Sequence, residues 1–161
     1  MTENFKIIGS FIRDMSSETP DAQTFIFVRD KISKYRLNID INSKAVKNGI
    51  IEVNTIIKFS DQPEILKKAH FEITYTSIVK VDEKVSDKKE MEKIILCDVP
   101  NKIYPDLERI FLNLLTDSGY PGIKFEKKIN FTELYKQRAN WKNFSLDCFL
   151  DIPYVAWFLF L

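Results

Sequence analysis

The sequence predicts an α+β domain: a four-stranded antiparallel sheet, a meander with one crossover loop, followed by a long helix and a short C-terminal helix. Three observations carry this. Period-two alternation dominates the first half of the 161-residue chain, a helical apolar stripe follows it, and the connections between the later strands are too short for a parallel crossover. A chain of this length is expected to form one domain that buries roughly 70% of its unfolded surface.

The first stretch, FKIIGSFIRDM, is apolar on both faces in places, which suits a strand covered on both sides or used at a subunit boundary. ETPDAQTFIFVRDKISK is longer and less regular and reads as the crossover loop. In YRLNIDI, Tyr35, Leu37, Ile39 and Ile41 alternate with Arg36, Asn38 and Asp40, giving a half-buried strand. The same alternation recurs in IIEVNTIIKF and in HFEITYT, where Phe71, Ile73 and Tyr75 oppose His70, Glu72 and Thr74. NSKAVKNG and SDQPEILKK supply the turns between these strands.

After Val81 the charged run DEKVSDKKEMEK reads as a solvated bend or the approach to a helix. The long helix is predicted to begin at Tyr104. Pro105 suits its first turn, and Asp106 and Glu108 suit the positive end of the dipole. Leu107, Ile110, Phe111, Leu114 and Leu115 form one stripe, and Gly119 followed by Pro121 is the stop signal. Asn130 precedes the short helix NFTELYKQR and has capping-box spacing to Glu133.

Chemistry-bearing residues are sparse. The four glycines form neither a phosphate cradle nor a dinucleotide turn, so no nucleotide cofactor is expected. His70, the single histidine, lies on the polar side of a strand with no nucleophile beside it in sequence, so no catalytic residue is assigned. Cys97 and Cys148 lack the companions a metal site needs, which points to reduced thiols and no metal. A net charge of +1 predicts no long-range attraction to nucleic acid. The 13 phenylalanines and 6 tyrosines exceed ordinary usage, a surplus that either core or contact surface must explain. MTENFKII has no basic segment leading into a long apolar run, so a cytoplasmic location is expected.

Three segments together resemble the SecB family of protein-export chaperones and its toxin–antitoxin-associated relatives. In FKIIGSFIRDMSSETPDA, Asp14, Glu18 and Pro20 fall where the family's first strand has its Asp, Glu and Pro. CDVPNKIYPDLERIF is similar to the family's entry into its long helix, with Pro100, Asn101, Tyr104 and Pro105 in register. SGYPGIKFEKKINFTELY matches a third passage through Gly119, Pro121, Asn130, Phe131 and Leu134.

The resemblance implies a chaperone domain over residues 1–140, assembling as a dimer of dimers, that holds unfolded precursor polypeptides without ATP and delivers them to the SecA motor. It implies a client groove of Tyr35, Leu37, Ile39, Phe71, Ile73, Tyr75, Tyr104, Phe131 and Leu134, residues that serve equally well as plain core. It implies motor docking through Asp14 and Glu18, which serve equally well as solvated strand-end charges, and an oligomer helix carrying Leu107, Ile110, Phe111, Leu114 and Leu115. Two departures stand out: the chain is near neutral where the family is acidic, and Thr74 occupies the acidic position on the fourth strand. Both favour the alternative of a chaperone dedicated to one toxin–antitoxin module.

Residues 141–161 form an atypical apolar tail. The run from Tyr154 to Leu161 is too short to span a bilayer, which takes about 20 apolar residues. Packing on the groove or on a neighbouring protomer, or an extension produced by a shifted reading frame, is expected ahead of membrane contact.

Overall fold

A computed structural model describes residues 4–61, 68–125 and 128–142, the side chains of 137–142 excepted. Four strands, β1 (Phe5–Glu18), β2 (Arg36–Ala45), β3 (Ile50–Ser60) and β4 (His70–Val81), form one antiparallel sheet in the order β1-β4-β3-β2. β2, β3 and β4 are the expected meander, and the chain crosses from the β1 edge to the β2 edge. The first turn of the meander uses Asn48 and Gly49, both at positive φ. The segment 62–67 of the SDQPEILKK connection lies outside the described residues.

The crossover is more than a loop, because it contains helix α1 (Ala22–Arg29) and a tight turn at Ile32–Lys34. The run Thr24 to Val28 has β-propensity, and two forces override it. The Asp21 carboxylate accepts the Thr24 N–H at 2.7 Å, and Thr24 and Val28, one turn apart, are both buried.

Odd-numbered residues of β2, β3 and β4 share the core face. Leu37, Phe59 and Phe71 form one row across the sheet, and Ile39, Ile57 and Ile73 form the next. The helix α3 (Val99–Asp117) lies over these rows and buries Tyr104, Leu107, Phe111 and Leu115 against them. A smaller cluster of Phe5, Val53, Val79, Val81, Ile94 and Val99 fills the other end.

The predicted helix start is corrected by the structure. Part of the charged bend is helix α2 (Lys88–Lys93), which runs through a π turn at Ile94–Asp98 directly into α3. Pro100 takes the first-turn position of α3 and Pro105 sits inside the helix. At the π turn the Val99 N–H bonds the Ile94 carbonyl five residues back. This widened turn falls just ahead of Pro100, whose missing N–H could not have closed a normal bond. Burial of Ile94, Leu96, Cys97, Val99 and Ile103 holds the chain helical where two prolines suggest a break. Asp106 accordingly stands away from the helix start and pairs with Arg109 at 3.6 Å.

The helix stop is where the sequence places it. Gly119 has φ of 93°, and a Cβ there would meet the Phe25 ring at 2.8 Å. Helix α4 (Phe131–Lys142) is capped by Asn130, whose side-chain oxygen accepts the N–H groups of Thr132 and Glu133 at 3.0 and 3.3 Å.

β1 is an edge strand, and within the protomer it is not covered on both faces. Its register shifts between Ile7 and Gly9 and again between Ile12 and Asp14 redistribute its side chains, leaving Ile8, Phe11, Ile12 and Met15 between 43% and 54% exposed.

Candidate functional site

Between the β2 edge of the core face and the loop after α3 lies a cleft of about 700 Å³. Its floor and walls are Ile32, Tyr35, Leu37, Phe59, Pro121, Ile123 and Phe125, with Ser33, Gly122 and Lys124 completing the lining. The β2 and β3 pleat delivers Leu37 and Phe59 to one side, and the loop from Pro121 to Phe125 folds back over α3 to form the other.

The cleft continues a field of rings. Phe59 contacts Tyr35, Phe71, Phe111 and Phe125 at centroid distances of 5.4 to 6.4 Å, and Phe71 meets Tyr120 edge-on at 5.3 Å. Tyr35 is held by the Ala69 N–H, which donates to its hydroxyl at 3.0 Å, and burial pushes that phenol's pKa up. Tyr120 places its hydroxyl 3.0 Å from that of Thr19, tying the loop after α3 to the start of the crossover. The cleft therefore offers adaptable apolar contact with one rim cation, which suits an apolar segment and sets few demands on its sequence.

Of the residues assigned to a groove, Tyr35 and Leu37 line this cleft. Ile39, Phe71 and Ile73 lie in the core beneath α3, Tyr104 and Phe131 pack on each other at 5.5 Å nearby, and Tyr75 and Leu134 are half-buried beside the same cluster. Sequence reasoning left out Ile32, Phe59, Ile123, Lys124 and Phe125. Phe59 was visible as the last apolar residue of its strand, whereas the loop PGIKF has no period to mark it. On the helix, Leu107, Phe111 and Leu115 are fully buried within the protomer, and Ile110 and Leu114 are half-buried.

The opposite sheet face carries most of the polar side chains of the sheet, together with Phe11, Ile56 and Ile78. Asp14 stands opposite Thr74, Ser16 opposite Glu72 and Glu18 opposite His70. Glu72 therefore lies on the same face as both assigned carboxylates, two residues from Thr74, and its own partners are His70 at 3.2 Å and Lys58 at 3.6 Å. A polar seam crosses this face, with Thr76 donating to Asn54 at 2.6 Å and Asn54 donating to Asn42 at 2.9 Å. Hydrogen bonding from Asn54, aided by Arg13, holds the Glu52 carboxyl below its ordinary pKa. Cys97 is buried 3.2 Å from the Thr132 hydroxyl, and burial raises its thiol pKa. Among the described residues no group of three or more His, Cys, Asp or Glu side chains could hold a metal ion, and no helix is long and apolar enough to cross a membrane.

The sheet, the helix laid across it and the flanking cleft put the chain among the SecB-like α+β folds. It is similar to a Mycobacterium tuberculosis SecB-like chaperone solved with a ChAD peptide from the HigA1 antitoxin, with a TM-score of 0.54 and 7% identity over 79% of this chain and 92% of that one. The family profile described as preprotein translocase subunit SecB matches residues 1–142, and the chain belongs to the SecB family, a family of chaperones and not of enzymes. A curated SecB-type protein-export protein of Pelagibacter ubique is 93% identical over 140 residues, 87% of this chain and 100% of that protein. The protein-export protein SecB of Roseobacter denitrificans is 30% identical over 142 residues, covering 81% of this chain and 78% of its own.

Proposed function

We propose that this SecB-family export protein is an ATP-independent holdase that binds unfolded precursors in the aromatic cleft and passes them to SecA in the cytoplasm. The observation that carries this reading is the cleft itself: rings belonging to the main core run out to a solvent-reachable edge under a short loop. At about 25 cal/mol per Å², a few hundred Å² of client surface contributes several kcal/mol before ordering costs, so a single cleft binds weakly. Several clefts on one assembly raise affinity by avidity along a long client.

The assembly in this reading is a homotetramer, a dimer of dimers. The exposed apolar residues of β1 and its unpaired outer edge supply one contact, and the half-buried Ile110 and Leu114 of α3 supply another. Asp14 and Glu18, with Glu72 beside them, form the motor-docking face.

A suitable test follows aggregation of heat-unfolded citrate synthase by light scattering at substoichiometric and stoichiometric chaperone. Suppression that saturates near stoichiometry, without nucleotide, is the expected result; unaltered aggregation rejects the holdase reading. A second reading, a chaperone dedicated to one antitoxin, is favoured by the near-neutral charge and by Thr74 facing Asp14. Partners retained on native purification separate the two: a large motor ATPase supports export, and a small antitoxin supports the module.

A further inference from the structure

We propose that residues 143–161 are a tethered occupant of the aromatic cleft, an internal polypeptide that clients must displace, which rests on the cleft being the client site proposed above. The segment reads NFSLDCFLDIPYVAWFLFL, with six aromatic residues, two aspartates and no lysine or arginine. A segment so apolar gains free energy by burial. Its chemistry is that of the extended, greasy stretches an unfolded client presents.

The cleft matches it in kind. Tyr35, Leu37, Phe59, Ile123 and Phe125 offer apolar contact, and Lys124 puts a cation on the lining, complementary to Asp147 and Asp151. Reach is no obstacle. At ~3.3 Å per residue, a chain as long as 143–161 can reach at most about 60 Å from the end of α4, against a radius of gyration of about 15 Å for a domain of this size.

The segment also lies beyond the family match. The family match ends at residue 142, and the Pelagibacter relative is matched over its whole length by 140 residues of this chain. Tethering to the domain supplies an effective concentration on the order of 1 mM, so a segment with a local dissociation constant of about 100 µM weakens client binding about tenfold.

The test uses the full chain. A benzophenone amino acid replacing Ile123 is photolysed in a mixture of isotope-labelled and unlabelled copies, and digestion identifies the joined peptides. Client affinity is measured in parallel with reduced, carboxymethylated α-lactalbumin, for the parent chain, for W157S/F158S/F160S and for F125A. The proposal expects cross-links to 143–161 within one copy, their loss on adding client, and about tenfold tighter client binding by the triple variant. Absence of those cross-links, their occurrence only between copies, or unchanged client affinity in the triple variant overturns it. So does tail-dependent capture of the chain by phosphatidylglycerol vesicles in place of the cross-links. Cross-links that persist while client affinity is indifferent to F125A overturn the client reading, and competition with it.

Discussion

Phe111 and Phe125 both contact Phe59, at 6.4 and 5.9 Å, and stack on each other at 6.2 Å. Their positions differ in what carries them. Phe111 hangs from the middle of the hydrogen-bonded helix α3, and it is 0% exposed. Phe125 hangs from an irregular loop containing Pro121 and Gly122, is only partly buried, and edges the cleft. The two rings are chemically alike, so the cover decides which is core and which is contact surface. Lifting a helix breaks a cooperative array of hydrogen bonds, whereas shifting a short loop with little regular bonding costs far less.

Breaking each side of this contrast tests it. Phe111→Ala is expected to cost about 3–5 kcal/mol by opening a cavity beneath α3, measured by urea denaturation; a loss under about 1 kcal/mol removes the distinction. Ile12→Lys with Met15→Lys leaves that core untouched and charges the exposed edge, so circular dichroism is kept while light scattering reports a smaller assembly. Phe125→Ala costs about 1–2 kcal/mol of stability and lowers client affinity several-fold, a split that a purely structural ring would not show.

The smallest effect belongs to Tyr104, whose buried hydroxyl has no hydrogen-bond partner among the described residues. Tyr104→Phe is expected to be neutral or stabilising by up to about 1 kcal/mol at pH 7. Burial, with the Glu108 charge adding to it, pushes the Tyr104 pKa above the ordinary phenol value. An unfolded phenol ionises near pH 10 while the buried one keeps its proton, so stability present below that pH falls as pH rises past it. The Phe variant should show a shallower fall in thermal midpoint between pH 9 and about 11.

Much of the sheet was legible because alternation is a local property: Leu37, Ile39, Phe71 and Ile73 declare their face by spacing alone. The helix stop at Gly119 and the cap at Asn130 were equally readable, since each depends on a few neighbouring backbone atoms. α1 was hidden by a β-prone run, and the helix start was misplaced because Pro105 mimics a first turn that burial of Ile94, Leu96 and Val99 moved upstream. The cleft was half legible. Tyr35 and Leu37 lie on a periodic strand, whereas Ile123 and Phe125 lie on an aperiodic loop whose position depends on packing against Phe111 and Phe59.

By itself the amino-acid order determined strand faces, turn positions, helix caps and the absence of nucleotide motifs, all set by interactions within a few residues. Tertiary structure alone decided which aromatic rings are sealed by α3 and which are left at the edge of a cleft. It also decided that Glu72 shares a face with Asp14 and Glu18. Those outcomes depend on segments far apart in sequence meeting in space, and no local pattern encodes what will lie on top of a side chain.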